Sequence, residues 1–151
     1  MTPADIDHPL LEPGEPLLAT FAPDRNRYWR DHGIMAVGLM ALAGGVLWLI
    51  GSPYPAIGSL GAILAVAVRG LYLAGETFKM RWLLTDRRLI LAGGVRSVNL
   101  LEIDKARPLL GDVQLITRSG DKYLLKFLAD ETEVITKITN ARDARARNRP
   151  A

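Results

Sequence analysis

Few residues in this chain are of a kind that does covalent chemistry. The histidines are His8 and His32, and cysteine is absent. Two imidazoles in one proline-rich arm do not make up the three or four ligands of a protein metal site. No nucleophile–histidine pairing can be read from the spacing. The carboxylates Glu102, Asp104 and Asp112 alternate with basic residues, as on a solvated strand and loop. Gly93-Gly94 is followed by neither a lysine-threonine pair nor a further spaced glycine, so it is neither a phosphate loop nor a dinucleotide fingerprint. These residues point away from an enzyme, a cofactor or a small-molecule substrate.

The chemistry that remains is cationic. Lys79, Arg81, Arg87 and Arg88, with the closing run Arg142, Arg145, Arg147 and Arg149, are candidates for contact with anionic lipid or with a partner surface. The net charge of +3 is unevenly spread: residues 1–32 hold six acidic and three basic side chains, residues 76–151 ten acidic and fifteen basic. Few aromatics accompany the basic segments, which argues against nucleic acid. The terminal arginines read equally as a solvated tail completing a helix, since cations suit a helix C-terminus.

The stretch that must position these groups is residues 33–75. Gly33 to Ile50 runs 18 residues without a charge, about 27 Å as a helix. The second run starts near residue 54 and reaches spanning length only by taking in Arg69, whose stem can snorkel to the headgroups. Neither run has a water-facing stripe, so the spacing predicts a transmembrane helical hairpin and not a soluble core helix pair or a cleaved signal peptide. Arg25, Arg27, Tyr28, Trp29 and Arg30 before the first span, with Arg69 and Tyr72 on the second, are expected to anchor it at the membrane–water interface. The elbow Gly51-Ser-Pro-Tyr-Pro55 carries no charge while cations follow the second span, so both termini are expected in the cytoplasm. Ala41 and Gly45 on the first span, and Gly58 with Ala62 and Gly61 with Ala65 on the second, recur at spacing four; they suit close packing within the hairpin or docking on a partner's membrane helix.

Around the hairpin lie an arm, residues 1–32, and a domain, residues 76–151. Prolines 3, 9, 13, 16 and 23 exclude a long helix from the arm, which adds one short strand over 16–22 or lies loosely on the domain. After Gly75 the period changes to two, with Phe78, Met80, Trp82 and Leu84 on one face. Turns at Thr85–Arg87, Gly93-Gly94, Pro108–Asp112 and Ser119–Asp121 divide five strands, the third running from Val95 to Asp104. A helix over about 130–147 follows, capped by Asp130 with Glu133 in reciprocal position and apolar at Val134, Ile135, Ile138 and Ala141. Leu83, Ile90, Leu124 and Leu128 give the strands a second apolar face, expected to be covered by the arm, another subunit or the membrane surface.

Gly14-Glu15 in the arm, the two apolar runs, Trp82-Leu-Leu-Thr-Asp-Arg-Arg-Leu-Ile90, Gly93-Gly94, Val98 to Ile103 and Gly111-Asp-Val together resemble the bacterial pleckstrin-homology-like domain of small two-span membrane proteins. The chain departs from that pattern in having Trp82 where a tyrosine is usual and a single glycine in the Leu110-Gly-Asp112 loop. The resemblance implies an α+β membrane protein: an N-terminal transmembrane hairpin, then a small antiparallel barrel or sandwich capped by a C-terminal helix, on the inner face of a bacterial membrane. It transfers no catalytic residue. Two functions follow as expectations: an accessory subunit or assembly factor of a larger membrane complex, gripping an integral membrane protein or a second copy, or a sensor of anionic lipid.

Overall fold

The computed structural model describes residues 9–148, so His8 and Arg149 lie outside the described residues. The chain divides into two compact units, Asp24–Lys79 and the remainder on either side of it.

The first unit is a pair of helices, α1 (Arg25–Leu49) and α2 (Pro55–Thr77). Asp24 starts α1 by accepting a hydrogen bond from the Arg27 N–H at 2.7 Å. The helix therefore opens eight residues before the charge-free run, and the aromatic and basic segment expected to precede the span forms its first two turns. Gly51, with φ +71°, ends the elbow's first turn, and Pro55 starts α2 where a missing N–H is harmless. Both helices are long and apolar enough to cross a membrane, and only 6% and 11% of their most apolar stretches are buried.

Glycines let the two helices approach, Gly58 among them from the spacing-four set. Side chains on Gly44, Gly58 and Gly70 would meet Ser59, Leu47 and His32 across the pair. Gly45 and Gly61 face open space, and with Ala41 and Ala65 they are exposed, while Ala62 is half-buried. The spacing-four rows thus lie beside the contact instead of in it, apart from Gly58; a strict i,i+4 series does not by itself say which way the row faces. At the open end of the pair Tyr28 is 1% exposed and its hydroxyl donates to the Gly70 carbonyl at 2.7 Å. His32 stacks on Tyr28 at 4.1 Å, with its Nδ1 2.9 Å from the Tyr28 carbonyl oxygen. Phe78 meets Tyr28 edge-on at 5.0 Å, and the Arg25 guanidinium lies 5.0 Å over the Phe78 ring.

The second unit is antiparallel β with one helix. β1 (Leu17–Phe21), β2 (Trp82–Thr85), β3 (Arg88–Ile90) and β4 (Ser97–Asn99) form one sheet in that order. β5 (Ile103–Leu109), β6 (Asp112–Thr117) and β7 (Lys122–Leu125) form the other, and α3 (Glu131–Arg147) follows. The arm therefore supplies a strand, and Phe21 pairs with Trp82, so the helices are inserted between two strands that are direct neighbours. The expected third strand is two: Asn99 accepts the Leu101 N–H and winds residues 100–102 into a 3₁₀ turn that carries the chain from one sheet to the other. No ladder joins the sheets among the described residues, so the expected barrel is not closed. Pro108 does not end its strand, because β5 is an edge strand, where a missing N–H is tolerated.

Leu84, Leu89, Leu100, Ile103, Leu115, Leu125 and Ile138 fill the core between the sheets and α3. Asp130 caps α3 by accepting from the Thr132 and Glu133 N–H groups at 2.9 and 3.0 Å. Glu133 itself turns forward to Lys137 at 2.6 Å instead of back to the cap. The second apolar face needs correction at Leu128. Phe127, with φ +57°, breaks the alternation after β7, and its N–H is held by Asp112 at 2.8 Å, so Leu128 turns into the core. Leu83 and Ile90 are each 3% exposed and pair with one another across β2 and β3; only Leu124, at 36%, stays at the surface.

A methyl on Gly70 would stand 2.9 Å from the ring of His32, which is itself held by stacking and a hydrogen bond. Gly70→Ala should therefore lower the thermal midpoint in mild detergent, by an overpacking cost of roughly 1–3 kcal/mol, while Gly61→Ala, which meets nothing, leaves it unchanged or slightly raised.

Candidate functional site

The best-built polar site lies on the β unit, where the arm meets the turn between β2 and β3. Gly14, at φ +75°, turns the chain so that the Glu15 N–H reaches the Glu12 carbonyl at 3.0 Å and the Glu15 side chain points inward. That carboxylate is fully buried. It accepts both Nε and Nη2 of Arg88 at 3.0 Å, the Thr85 hydroxyl at 2.7 Å and the Glu12 N–H at 2.9 Å. Thr85, with no exposed surface, also accepts the N–H groups of Arg87 and Arg88 at 3.2 and 3.0 Å and so closes the turn. Burial alone would push the Glu15 carboxyl up. The hydrogen bonds from Arg88, Glu12 and Thr85, with the Arg88 charge, outweigh it and hold the pKa down at about 2. The same contact raises Arg88 above its ordinary value.

Outside this clamp a shallow depression of about 360 Å³ opens, lined by Glu12, Arg87, Arg88, Ser97, Asn99, Glu102 and Arg145. It gathers three of the sequence's candidate contact residues from positions more than fifty apart. Arg87 and Arg88 pair with Glu12 at 3.6 and 3.4 Å, and Arg145 reaches in from the last turn of α3, exposed and with no hydrogen bond or ion pair among the described residues. With Glu12, Glu15 and Glu102 facing the three guanidinium groups, the site is close to charge-balanced. It suits a polar surface with both donors and acceptors better than a bare anion.

The other candidate cations are dispersed. Arg142 bonds Asp143 and the Asp104 carbonyl, each at 3.0 Å, and ties α3 to β5. Arg147 is exposed at the helix end, Lys79 is exposed in the helical unit, and Arg81 is exposed with its Nη1 donating to the Met80 carbonyl at 2.7 Å. Of the expected interface anchors, Tyr28 is a buried strut between the helices and Arg27 is largely covered beside Asp31 at 3.4 Å. Arg30 also faces Asp31 at 3.4 Å. Trp29 and Tyr72 keep 42% and 81% of their surface, and Arg69 is exposed.

Two features escape a reading of the spacing. The Glu15–Thr85 contact joins residues 70 apart, and no local pattern signals it. The second is the β5–β6 turn, where Leu109 pairs with Asp112 and leaves a two-residue loop, Leu110 at φ +52° and Gly111 at φ +84°. A leucine rarely adopts that left-handed backbone, and this one is 97% exposed. Among the described residues, no cluster of acidic, histidine or cysteine side chains is arranged to hold a metal ion. No protein-family model, curated protein or solved structure matches the chain.

Because the native Glu15 carboxyl titrates near 2 and an unperturbed one near 4.5, the clamp acts in full above the higher value and its contribution is lost as the pH falls toward the lower. The shift corresponds to roughly 3 kcal/mol. Denaturation followed at pH 7 and pH 3 should show the native chain losing stability at the acidic value. Glu15→Gln should be weaker than the native chain at pH 7 and nearly flat across the same window.

Proposed function

We propose that the protein is a membrane-anchored interaction module without a reaction of its own. In this reading α1 and α2 cross a bacterial inner membrane as a hairpin with both termini cytoplasmic. The β unit is a pleckstrin-homology-like module that docks on a protein partner, as an accessory subunit or assembly factor of a larger membrane complex.

The observation that carries the proposal is the surface of the helix pair. Ile34, Val37, Leu42, Trp48, Leu64 and Leu71 are each more than half exposed, on helices that meet along a narrow line of glycines and at the Tyr28–Gly70 contact. A water-soluble protein rarely leaves so much contiguous apolar surface uncovered, whereas hydrocarbon needs nothing more. The pairing of Phe21 with Trp82 supports an even number of crossings, since it holds both ends of the insertion at one place. A four-stranded and a three-stranded antiparallel sheet closed by a C-terminal helix have the parts that the family resemblance requires.

A protein partner is favoured over anionic lipid because Arg87 and Arg88 at the polar depression are already paired with carboxylates. Leu110 adds to this: a strained, fully exposed leucine on a rigid turn is costly unless something else buries it.

Alkaline extraction of isolated membranes checks the anchorage: the full chain should stay in the pellet and leave it only with detergent. For the docking, Leu110→Asn is informative, since asparagine accepts the left-handed backbone more readily than leucine. It should gain about 1 kcal/mol in stability while losing the proteins that co-purify with the native chain in gentle detergent. Retention of every partner would refute a role for this turn. Salt-sensitive binding of added anionic vesicles by the detergent-purified full chain would instead favour the lipid reading.

A further inference from the structure

We infer that the tip of the β3–β4 hairpin, Gly93-Gly94-Val95-Arg96, rests in the headgroup layer of the bilayer, with Val95 entering it and Arg96 beside the lipid phosphates. The inference rests on the reading that α1 and α2 span the membrane.

Strand register decides where this tip lies. Phe21 pairs with Trp82, Leu83 with Ile90 and Ile90 with Ser97, so these residues mark one edge of the four-stranded sheet. Leu17 pairs with Thr85 and Arg88 with Asn99, which mark the opposite edge. The chain departs for α1 just past Phe21 and returns from α2 just ahead of Trp82, and the loop after Ile90 projects from that same edge. The connections are short: Ala22 to Asp24 on one side, Phe78 to Arg81 on the other. At about 3.3–3.6 Å per extended residue they reach no further than roughly 15 Å. On the reading that the helices cross the bilayer, connections of that length let this sheet edge reach the headgroup layer.

The chemistry of the tip fits that place. Turn positions ordinarily carry glycine or a small polar residue, yet Val95 is 90% exposed here and gains nothing from water. It is held out rigidly: the Leu91 N–H donates to the Arg96 carbonyl at 2.8 Å and the Gly94 N–H to the Leu91 carbonyl at 3.0 Å. Gly93 and Gly94 take φ +90° and +71°. A Cβ on Gly94 would stand 2.6 Å from Leu10, so the glycine makes room for an arm residue that is itself 41% exposed and widens the apolar tip. Arg96 follows at once and is exposed, placing a cation where an inserted valine would bring it level with the phosphates.

The absence of cysteine from the chain makes the test clean, because one introduced thiol takes one label. Val95→Cys, Pro13→Cys and Leu64→Cys in the full chain would each carry an environment-sensitive fluorophore. The proteins are reconstituted alone into vesicles of phosphatidylethanolamine and phosphatidylglycerol, with or without lipids bearing a nitroxide near the headgroup or deep in the acyl chain. Pro13 lies beside the turn at the far edge of the sheet, and Leu64 lies on the apolar surface of α2. The label at residue 95 should be quenched at least twofold more by the shallow nitroxide than the label at residue 13, and the label at residue 64 by the deep one. Quenching at 64 with equal signals at 95 and 13 would overturn the inference and leave the membrane anchor standing. No quenching at 64 would overturn the anchor and the inference together.

Discussion

A single buried carboxylate ties β1 to the rest of the four-stranded sheet. Glu15 takes four hydrogen bonds, two of them from the planar fork of Arg88, and every donor except the Glu12 N–H comes from the turn that joins β2 to β3. A carboxylate so placed is tolerable only because its desolvation is matched by complete pairing; removing one partner strands the other. The clamp sits at the start of β1, where the arm would otherwise peel from the sheet, and Phe21 in the core holds the other end of the same strand. Five residues of ladder fixed at both ends are what make the arm part of the domain.

That strand matters beyond its own contacts. The sixty residues between Phe21 and Trp82 make an excursion whose ends must meet. For a flexible loop of that length closure would cost on the order of 4 kcal/mol. The antiparallel helices remove much of that cost by bringing their own ends together, through the Tyr28 hydroxyl on the Gly70 carbonyl and the aromatic stack around it. Each unit thus presents its two chain ends close together, and each makes the other's connectivity inexpensive.

Much of this was legible in the residues. The two apolar runs, the change of period after Gly75, the Asp130 cap and the apolar stripe of α3 each follow from a local pattern. What did not follow was contact at a distance. Spacing identified the small residues on the helices but not their facing, since Gly44 and Gly70 meet the other helix while Gly45 and Gly61 do not. Alternation placed Leu128 on an outer face because nothing local announces the left-handed Phe127 that reverses it. The motif around Thr85 was visible as a motif, whereas its physical content, a hydroxyl that closes a turn and feeds a buried glutamate, needed the arm in place. The candidate site was half readable: Arg87, Arg88 and Arg145 were singled out as cations, and the pairing of the first two with Glu12 and Glu15 was not.

The order in which a ribosome releases this chain gives the inserted topology a consequence of its own. β1 emerges first and has no partner until β2 follows about sixty residues later, after both helices have been made. The strand must wait, unpaired, through the whole passage of the hydrophobic segments. Sheet closure then reports that the helices have reached a state in which their ends lie together, so a chain whose hairpin went astray would keep an open strand edge for proteases and chaperones to recognise.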